Sequence, residues 1–359
     1  MKYSILDEDL DYIFSQVKNK GKWNNATIII TGCAGFLGFY FIHFFTKKSK
    51  ELGVKKIICL DSFILDKPNW LISLENNFSS ILHVQKFDVS GGDISKIKGA
   101  LDANYIVHAA SIASPSYYRK FPIATIEANV FGLKKLLDFY KTSSKLLGFL
   151  FFSSSEIYGD PDIDFIPTSE NYRGNVNCIG PRACYDESKR FGETLCWVYS
   201  KEYSLPITVA RPFNNYGPGM KLNDKRLPAD FAKSIITNEN ISILSDGSPK
   251  RTFCYISDAM IGYLLCLTHG RYDFFNIGSD KPEISVKDFA EIFLKVGTKI
   301  NNYKGRISYI KSDDLDYMTD NPNRRCPIID KAKTKLGYNP KISLDEGISR
   351  YLTFLKGDI

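Results

Sequence analysis

One short stretch of the sequence places a tyrosine and a lysine at a spacing that can support proton transfer. Tyr185 and Lys189 are four positions apart, so on a helix they share one face. A phenol with a pKa of about 10 is a weak base at neutral pH, whereas a neighbouring ammonium group favours the phenolate, which can take a proton from a hydroxyl group. In a chain with 21 tyrosines this spacing also arises by chance, and then it is typical of a solvated helix face. The interpretation therefore depends on the elements around the pair.

The segment before the pair supplies hydroxyl groups and a carboxylate. The run GFLFFSSSEIYG predicts a buried strand and a turn, and its end carries Ser154, Ser155 and Glu156. Ligands of open α/β sheets bind at the carboxyl edge of the strands. A strand-end turn and a surface carboxylate are the structural alternatives. We favour catalytic roles for these three residues, Tyr185 and Lys189, because the order strand, turn, helix brings hydroxyl, phenol and ammonium together.

The sequence TIIITGCAGFLG predicts a dinucleotide-binding turn between a strand and a helix. Gly32 permits a sharp turn, Gly35 lets backbone amides approach a pyrophosphate, and Gly38 allows close packing of the helix, whose N-terminus attracts negative charge. Asp61 ends the run KKIICLD, where a carboxylate accepts hydrogen bonds from ribose hydroxyls and repels the extra phosphate of NADP. The predicted cofactor is therefore NAD. Its further predicted contacts are Phe36, Leu37, Asp88, Val89, Ala109, Ala110, Tyr185, Lys189 and Pro212.

The pattern of the whole chain predicts how these segments are held. Short apolar runs rich in β-branched residues alternate with amphipathic segments from Thr27 onward, which is typical of parallel βαβ units covered by helices on both faces. We expect an α/β fold, a Rossmann-type doubly wound parallel sheet with a smaller C-terminal substrate-binding lobe. Residues 1–26 would form an N-terminal helical extension, residues 27–210 the NAD-binding domain, and residues 211–359 mainly the substrate-binding lobe, with segments near 250–278 returning to the sheet.

Composition excludes several other classes of protein. The chain has 359 residues, 44% hydrophobic and 24% charged, and its net charge of +7 is spread without a long run of like charges, so no nucleic-acid partner is predicted. The eight cysteines form no C-x-x-C pair, which favours reduced thiols, no metal site and a cytoplasmic location. The N-terminus is acidic and lacks the apolar core of a signal peptide. Residues 27–45 carry no charge, but three glycines spaced by three favour strand, turn and helix over a membrane span.

Several motifs together resemble the extended short-chain dehydrogenase/reductases and, within them, the UDP-glucuronate decarboxylases. The resemblance covers about residues 27–350. The most specific motif is NCIGPRACYDESKRFGETLCWVY at residues 177–199. The others are SSSEIYGDP (153–161), ASIASPSYY (110–118), ARPFNNYGPGM (210–220), DGSPKRTFCYISD (246–258) and RCPIIDKAKTKLGYNP (325–340).

The resemblance implies a closed redox cycle on a nucleotide-sugar, UDP- or dTDP-linked. Tyr185 would take the proton of the sugar 4-hydroxyl while NAD takes the C4 hydride, carbon dioxide would leave from C6, and the hydride would return to C4. Lys189 would keep Tyr185 ionised and hold the nicotinamide ribose. Ser154 and Ser155 would bond the reacting oxygen, and Glu156 would position the ring or handle the C5 proton.

The same resemblance implies contacts with the substrate and with a second copy of the chain. Tyr118 and Arg251 would bind the sugar carboxylate. Asn214 and Arg325 would contact the substrate or its diphosphate, and Glu156 would also contact the substrate. A loop-capping Asn and an exposed Arg are the structural alternatives for Asn214 and Arg325. The implied assembly is a homodimer formed through two helices, one carrying Tyr185.

Three positions depart from the decarboxylase pattern, and three other functions stay open. Ser154 stands where that family usually has Thr, Ser188 replaces a common Gly, and Gly219 stands where an Arg is general. A nucleotide-glucose 4,6-dehydratase would use an Asp-Glu pair where this chain has Ser155 and Glu156, and serine is a poor proton donor to a leaving hydroxyl. A 4-epimerase needs only the Tyr, Lys and NAD. A non-enzymatic NAD-binding sensor or scaffold is the alternative of a different class.

Overall fold

A computed structural model of the protein describes residues 4–64, 66–311, 319 and 322–357. In chain order the strands are β1 Thr27–Thr31, β2 Lys56–Asp61, β3 Leu82–Lys86, β4 Tyr105–His108, β5 Gly148–Phe152, β6 Ile207–Pro212, β7 Asn215–Tyr216, β8 Ile241–Ile243, β9 Lys250–Arg251, β10 Cys254–Tyr255, β11 Asp273–Ile277, β12 Ile284–Ser285, β13 Ile307–Tyr309 and β14 Arg324–Arg325.

The α-helices are α1 Ile5–Gln16, α2 Phe36–Lys47, α3 Ser49–Leu52, α4 Asn69–Asn77, α5 Pro115–Lys120, α6 Pro122–Ile126, α7 Leu133–Tyr140, α8 Ala183–Tyr203, α9 Leu227–Thr237, α10 Ile256–Leu267, α11 Val286–Asn301, α12 Asp330–Leu336 and α13 Leu344–Gly357. A π-helical turn, Glu127–Gly132, joins α6 to α7. No helix in these described ranges is long and apolar enough to cross a membrane.

The core of the fold is a seven-stranded parallel sheet in the order β11-β6-β5-β4-β1-β2-β3. Strands β1, β4 and β5 are buried along their whole length, as expected for continuous apolar runs covered by helices on both faces. The chain winds outward from β1 to β3 and then returns to build the other half from β4, so the order reverses between β1 and β4. Ligands of such sheets bind at this reversal, outside the carboxyl ends of the strands. The predicted doubly wound α/β fold is confirmed.

The second half of the chain adds a smaller layer beside that edge. Strand β11 pairs with β6 in the central sheet. The short strands form three small sheets, β10-β7, β12-β9-β14 and β13-β8. Helices α9 and α11 pack through Phe231, Phe289 and Phe293, whose ring centroids lie 5.0–5.9 Å apart. Ser285 and Asp288 cap the start of α11 reciprocally.

Helix α1 is attached to the body of the protein by a buried carboxylate. Asp9 is fully buried and accepts hydrogen bonds from the hydroxyls of Tyr40 in α2, at 2.8 Å, and Tyr255 in β10, at 2.7 Å. Its second oxygen accepts from Arg350 of α13 at 2.9 Å. One side chain of the N-terminal helix therefore joins the helix after the glycine turn to the last helix of the chain.

Candidate active site

A cleft of about 1490 Å³ opens at the carboxyl edge of the central sheet. The turn after β1, the ends of β4, β5 and β6, the start of α8 and the small sheet containing β9 and β14 all border it. Its wall contains all the sequence-predicted site residues except Gly38: Gly32, Gly35, Phe36, Leu37, Asp61, Asp88, Val89, Ala109, Ala110, Tyr118, Ser154, Ser155, Glu156, Tyr185, Lys189, Pro212, Asn214, Arg251 and Arg325.

The glycine turn has the shape that a dinucleotide requires. Gly32 has φ +71°, a backbone conformation that residues with a side chain rarely adopt. A Cβ there would also lie 2.6 Å from the carbonyl carbon of Ala109, so there is no space for a side chain. A Cβ on Gly38 would lie 2.6 Å from the carbonyl carbon of Cys33, which explains why Gly38 packs the helix and does not line the cleft. Helix α2 follows Gly35 without a side-chain cap, which leaves its N-terminus able to bind an anion.

Asp61 lies where sequence analysis expected it, at the end of β2, and has a further role in the turn. One carboxylate oxygen accepts the backbone N–H of Ala34 and the other that of Phe63, each at 2.9 Å. A carboxylate has about four lone-pair sites, so two remain for ribose hydroxyls. Asp88 is exposed and accepts from Ser90. These residues fit the adenosine half of NAD.

Tyr185 and Lys189 lie on the buried face of α8, against the end of β5. The Tyr185 ring stacks on Tyr118, with centroids 5.0 Å apart and planes 13° apart. Burial raises the pKa of Tyr185 to about 12, although a hydrogen bond with Ser154 acts in the opposite direction. Burial also lowers the pKa of Lys189 to about 7. Its ammonium donates to the carbonyl of Phe152 at 2.8 Å and lies 5.7 Å from the centroid of the Tyr185 ring.

This arrangement differs from the expected electrostatics in one respect. The spacing of Tyr185 and Lys189 predicts an ammonium group that favours the phenolate, yet in the structure the pKa of Tyr185 lies above its ordinary value. The physical reason is that a water-poor site disfavours the charged forms of both residues. Ionisation of Tyr185 would therefore be favoured by a further positive charge beside its hydroxyl, such as that of bound NAD.

Glu156 is held by two arginines, the buried Arg182 and the largely buried Arg325. Arg182 ion-pairs with one of its oxygens, and Arg325 donates to the same oxygen at 2.6 Å. Burial acts to raise the pKa of Glu156, but the charges of Arg182 and Arg325 outweigh it and lower that pKa to about 2. Burial and the charge of Glu156 raise the pKa of the neighbouring Asp186 to about 8. The Nε of Arg182 also lies 3.6 Å from a carboxylate oxygen of Asp186, so the guanidiniums of Arg182 and Arg325 stand beside the two carboxyl groups of Glu156 and Asp186.

Sequence analysis missed Arg182, although it lies within the GPRACYDESK motif three residues before Tyr185. It is buried, lines the cleft, and its guanidinium carbon lies 5.9 Å from the centroid of the Tyr118 ring. The available signal was position, since an arginine at the start of the helix carrying Tyr185 must lie near that residue.

The remaining predicted substrate residues also meet at the cleft. Asn214 has φ +41° and donates to the carbonyl of Thr252 at 2.8 Å, so the loop-capping alternative describes its side-chain bond. Arg251 is buried and pairs in register with Arg325. It donates to the carbonyls of Lys250 and Asn323 at 2.8 and 3.0 Å. The hydroxyl of Tyr118 is buried, with no hydrogen-bond partner among the described residues.

Residues 28–278 match the model of the NAD dependent epimerase/dehydratase family. The chain belongs to this family. UDP-glucuronic acid decarboxylase 1 of Xenopus tropicalis is 32% identical over 359 residues, which cover 100% of this chain and 79% of that protein. UDP-glucuronic acid decarboxylase 5 of Arabidopsis thaliana is 32% identical over 90% of this chain and 88% of its own length. UDP-glucuronic acid 4-epimerase from Bacillus cereus, crystallised with UDP-glucuronic acid and NAD, is 26% identical with a TM-score of 0.76, covering 93% of this chain and 100% of that one.

Membership of the epimerase/dehydratase family confirms the predicted resemblance, the class of enzyme and the dependence on NAD. The loop that departs from the decarboxylase pattern is shaped by the packing of this chain. Gly219 has φ +84°, and a Cβ there would lie 2.6 Å from the ring of Phe39. Arg226 of the same loop also lines the cleft, with its guanidinium 5.7 Å from the centroid of Phe36. Lys221 and Lys225 of this loop line the cleft as well, so Arg226 is one of several cations at this rim, none of which sequence analysis selected.

Proposed function

We propose that the protein converts UDP-glucuronate to UDP-xylose and carbon dioxide. The observation that carries the proposal is the largely buried group in which three guanidiniums, those of Arg182, Arg251 and Arg325, face two carboxylates, those of Glu156 and Asp186. Such a group is short of negative charge and favours a substrate that brings its own carboxylate. The relatives named UDP-glucuronic acid decarboxylase, which match 90–100% of the chain, support the same substrate.

The proposed chemistry assigns a proton or an anion to each side chain. Tyr185, in the phenolate form that the positive charge of bound NAD would favour, takes the proton of the sugar 4-hydroxyl and returns it to the same oxygen at the end, while Ser154 and Ser155 donate to that oxygen. NAD, when bound, would supply the reversible removal of hydride from C4. In the 4-keto sugar the bond from C5 to the carboxylate carbon breaks, carbon dioxide leaves, and the electron pair is held as an enolate until C5 takes a proton from water.

Recognition of the carboxylate is proposed for the arginine end of the cleft. Arg325 and Arg251 bind the sugar carboxylate together with Tyr118, and Arg182 retains Glu156. We assign contacts with the nucleotide part to Asn214 and Arg226, which line the same cleft. Lys189, with a pKa of about 7, carries a positive charge that can be gained or lost near neutral pH.

A second candidate is epimerisation of UDP-glucuronate at C4. It is favoured by the similarity to the Bacillus cereus UDP-glucuronic acid 4-epimerase, because that reaction uses the same carboxylate-bearing sugar. The two reactions share removal of the C4 hydride and differ in the fate of the 4-keto sugar, which either loses carbon dioxide or turns before the hydride returns.

Product analysis separates the candidates. Purified protein with NAD is incubated with UDP-glucuronate, UDP-glucose and dTDP-glucose, and the products are followed by mass spectrometry and proton NMR. We expect loss of the mass of carbon dioxide from UDP-glucuronate. An unchanged mass with an inverted C4 proton would establish the epimerase, and loss of water from a nucleotide-glucose would establish a dehydratase. No change with any substrate would contradict the proposal.

We also propose a homodimer built on α8 and the π-helical turn. Phe131 is 55% exposed, Phe191 52% and Trp197 49%, a high exposure for aromatic side chains on two neighbouring segments. A second copy of the chain would cover this face.

The eight cysteines are all free thiols, which supports a reducing, cytoplasmic compartment. We also propose that residues 27–210 form the NAD-binding domain and that residues 211–359 mainly form the substrate-binding lobe.

A further inference from the structure

Ser188 occupies an unusual place between the two residues proposed to carry the chemistry. It lies in the interior of α8, three residues after Tyr185 and one before Lys189, and is 5% exposed. Its hydroxyl donates to the carbonyl of Tyr185 at 2.9 Å and accepts from the side-chain amide of Asn129, also at 2.9 Å. We propose that Ser188 is a positioning residue that joins the helix of Tyr185 and Lys189 to the π-helical turn.

The bond to Asn129 is costly to lose because both partners are out of water. Asn129 is fully buried, and its side-chain oxygen has no hydrogen-bond partner among the described residues. A buried polar group without a partner is destabilising, so removing the Ser188 hydroxyl leaves the Asn129 amide unsatisfied as well. The two side chains therefore act as a unit, which connects two segments far apart in sequence.

The π-helical turn is itself fixed to the cofactor side of the cleft. A Cβ on Gly132 would lie 2.8 Å from the Val89 side chain, so the turn packs directly on the loop after β3. Glu127 and Ala128 of the turn line the cleft. Through the bond from Asn129 to Ser188, the position of this side of the cleft constrains the position of α8.

The side of α8 next to Ser188 makes the contacts that must be accurate, because on a helix Ser188 lies about 60° from Tyr185 and about 100° from Lys189. Lys189 reaches the carbonyl of Phe152, and Tyr185 bonds with Ser154, both at the end of β5. A displacement of about 1 Å at a reacting group can lower a rate about a hundredfold. Ser188 fixes the position of the helix from this neighbouring side, so that these contacts persist.

The role rests on the proposed function because it assumes that Tyr185 and Lys189 carry the reaction. The test compares Ser188→Ala with Ser200→Ala, a serine of the same helix that bonds the carbonyl of Leu205 away from the cleft. For Ser188→Ala we expect kcat for UDP-glucuronate to fall about five- to tenfold with KM within about twofold. The alkaline limb of the pH profile, where Lys189 loses the charge that keeps Tyr185 ionised, should move to higher pH, because water reaching Lys189 restores its ordinary, higher pKa. Ser200→Ala should match the wild type in both.

Two further measurements decide between positioning and a general effect on folding. Asn129→Ala combined with Ser188→Ala should lose no more kcat than the larger single loss, since both remove the same bond. Hydrogen exchange followed by mass spectrometry should rise in peptides covering 127–132 and 183–192 and stay unchanged in those covering 196–203. Unchanged kcat and pH profile, additive losses, or unchanged exchange would overturn the role of Ser188. If the wild type does not turn over UDP-glucuronate, the proposed function is refuted instead. The hydrogen-exchange measurement would still decide whether Ser188 positions the helix.

Discussion

Replacing Gly38 by alanine tests whether close packing of α2 creates the cofactor site. The new Cβ would lie 2.6 Å from the carbonyl carbon and 2.8 Å from the Cα of Cys33, whereas carbon atoms in contact lie about 3.5–4.0 Å apart. Because both obstructing atoms belong to the backbone, α2 must retreat by about 1 Å. Overpacking of this kind costs about 1–3 kcal/mol in the free energy of unfolding. The amides that start α2 move with it, so NAD affinity should fall about tenfold or more.

Gly35→Ala is the matched control. Its φ is −83°, and a Cβ there would meet the Gly32 carbonyl oxygen at 3.3 Å, so the fold needs a shift of only a few tenths of an ångström. We expect urea unfolding close to the wild type but weaker NAD binding, because the methyl group faces the pyrophosphate. Isothermal titration calorimetry measures the affinity. If Gly38→Ala kept both stability and NAD affinity, the reasoning about the turn would be wrong.

Four further results are expected. Tyr185→Phe should bind NAD normally and lose kcat by about 10²–10⁴-fold, and full activity would remove the phenol from the mechanism. The pKa of Glu156 is about 2 in the folded protein and 4.5 ordinarily, so between these pH values the unfolded chain binds more protons than the folded one. The free energy of unfolding should therefore fall as the pH drops below 4.5. Glu156→Gln should flatten this slope in urea unfolding, and an unchanged slope would contradict the ion pairs. Asp61→Ala removes the acceptor of two backbone amides and should weaken NAD binding about tenfold while raising the relative affinity for NADP, as measured by competition. Trp197→Glu should convert a dimer to a monomer in light scattering after gel filtration, and an unaltered mass would place the interface elsewhere.

The parts of the molecule that were predictable are those with a strong local signal. Strand β1 was visible as a β-branched run followed by glycines at fixed spacing. The glycine turn was predictable because one conformation, with φ positive at Gly32, is required there. In each case the information lies within about ten neighbouring residues.

The parts that were not predictable depend on contacts between distant segments. Arg325 bonds Glu156 across 169 residues of chain, and no local pattern marks such a contact. The π-helical turn has no distinctive sequence, and the bond from Asn129 to Ser188 spans 59 residues. The pKa of Tyr185 was misjudged for the same reason, since spacing gives the distance to Lys189 but not the loss of water around both.

The carboxylate of Asp9 has a consequence for the order in which the protein can be completed. Helix α1 is synthesised well before the guanidinium that it needs, which belongs to Arg350, 341 residues later. Until Arg350 has been made, burying Asp9 against the hydroxyls of Tyr40 and Tyr255 would leave a negative charge without a counterion. Docking of α1 and α13 should therefore be a late, joint event of folding, and removing either helix should release the other.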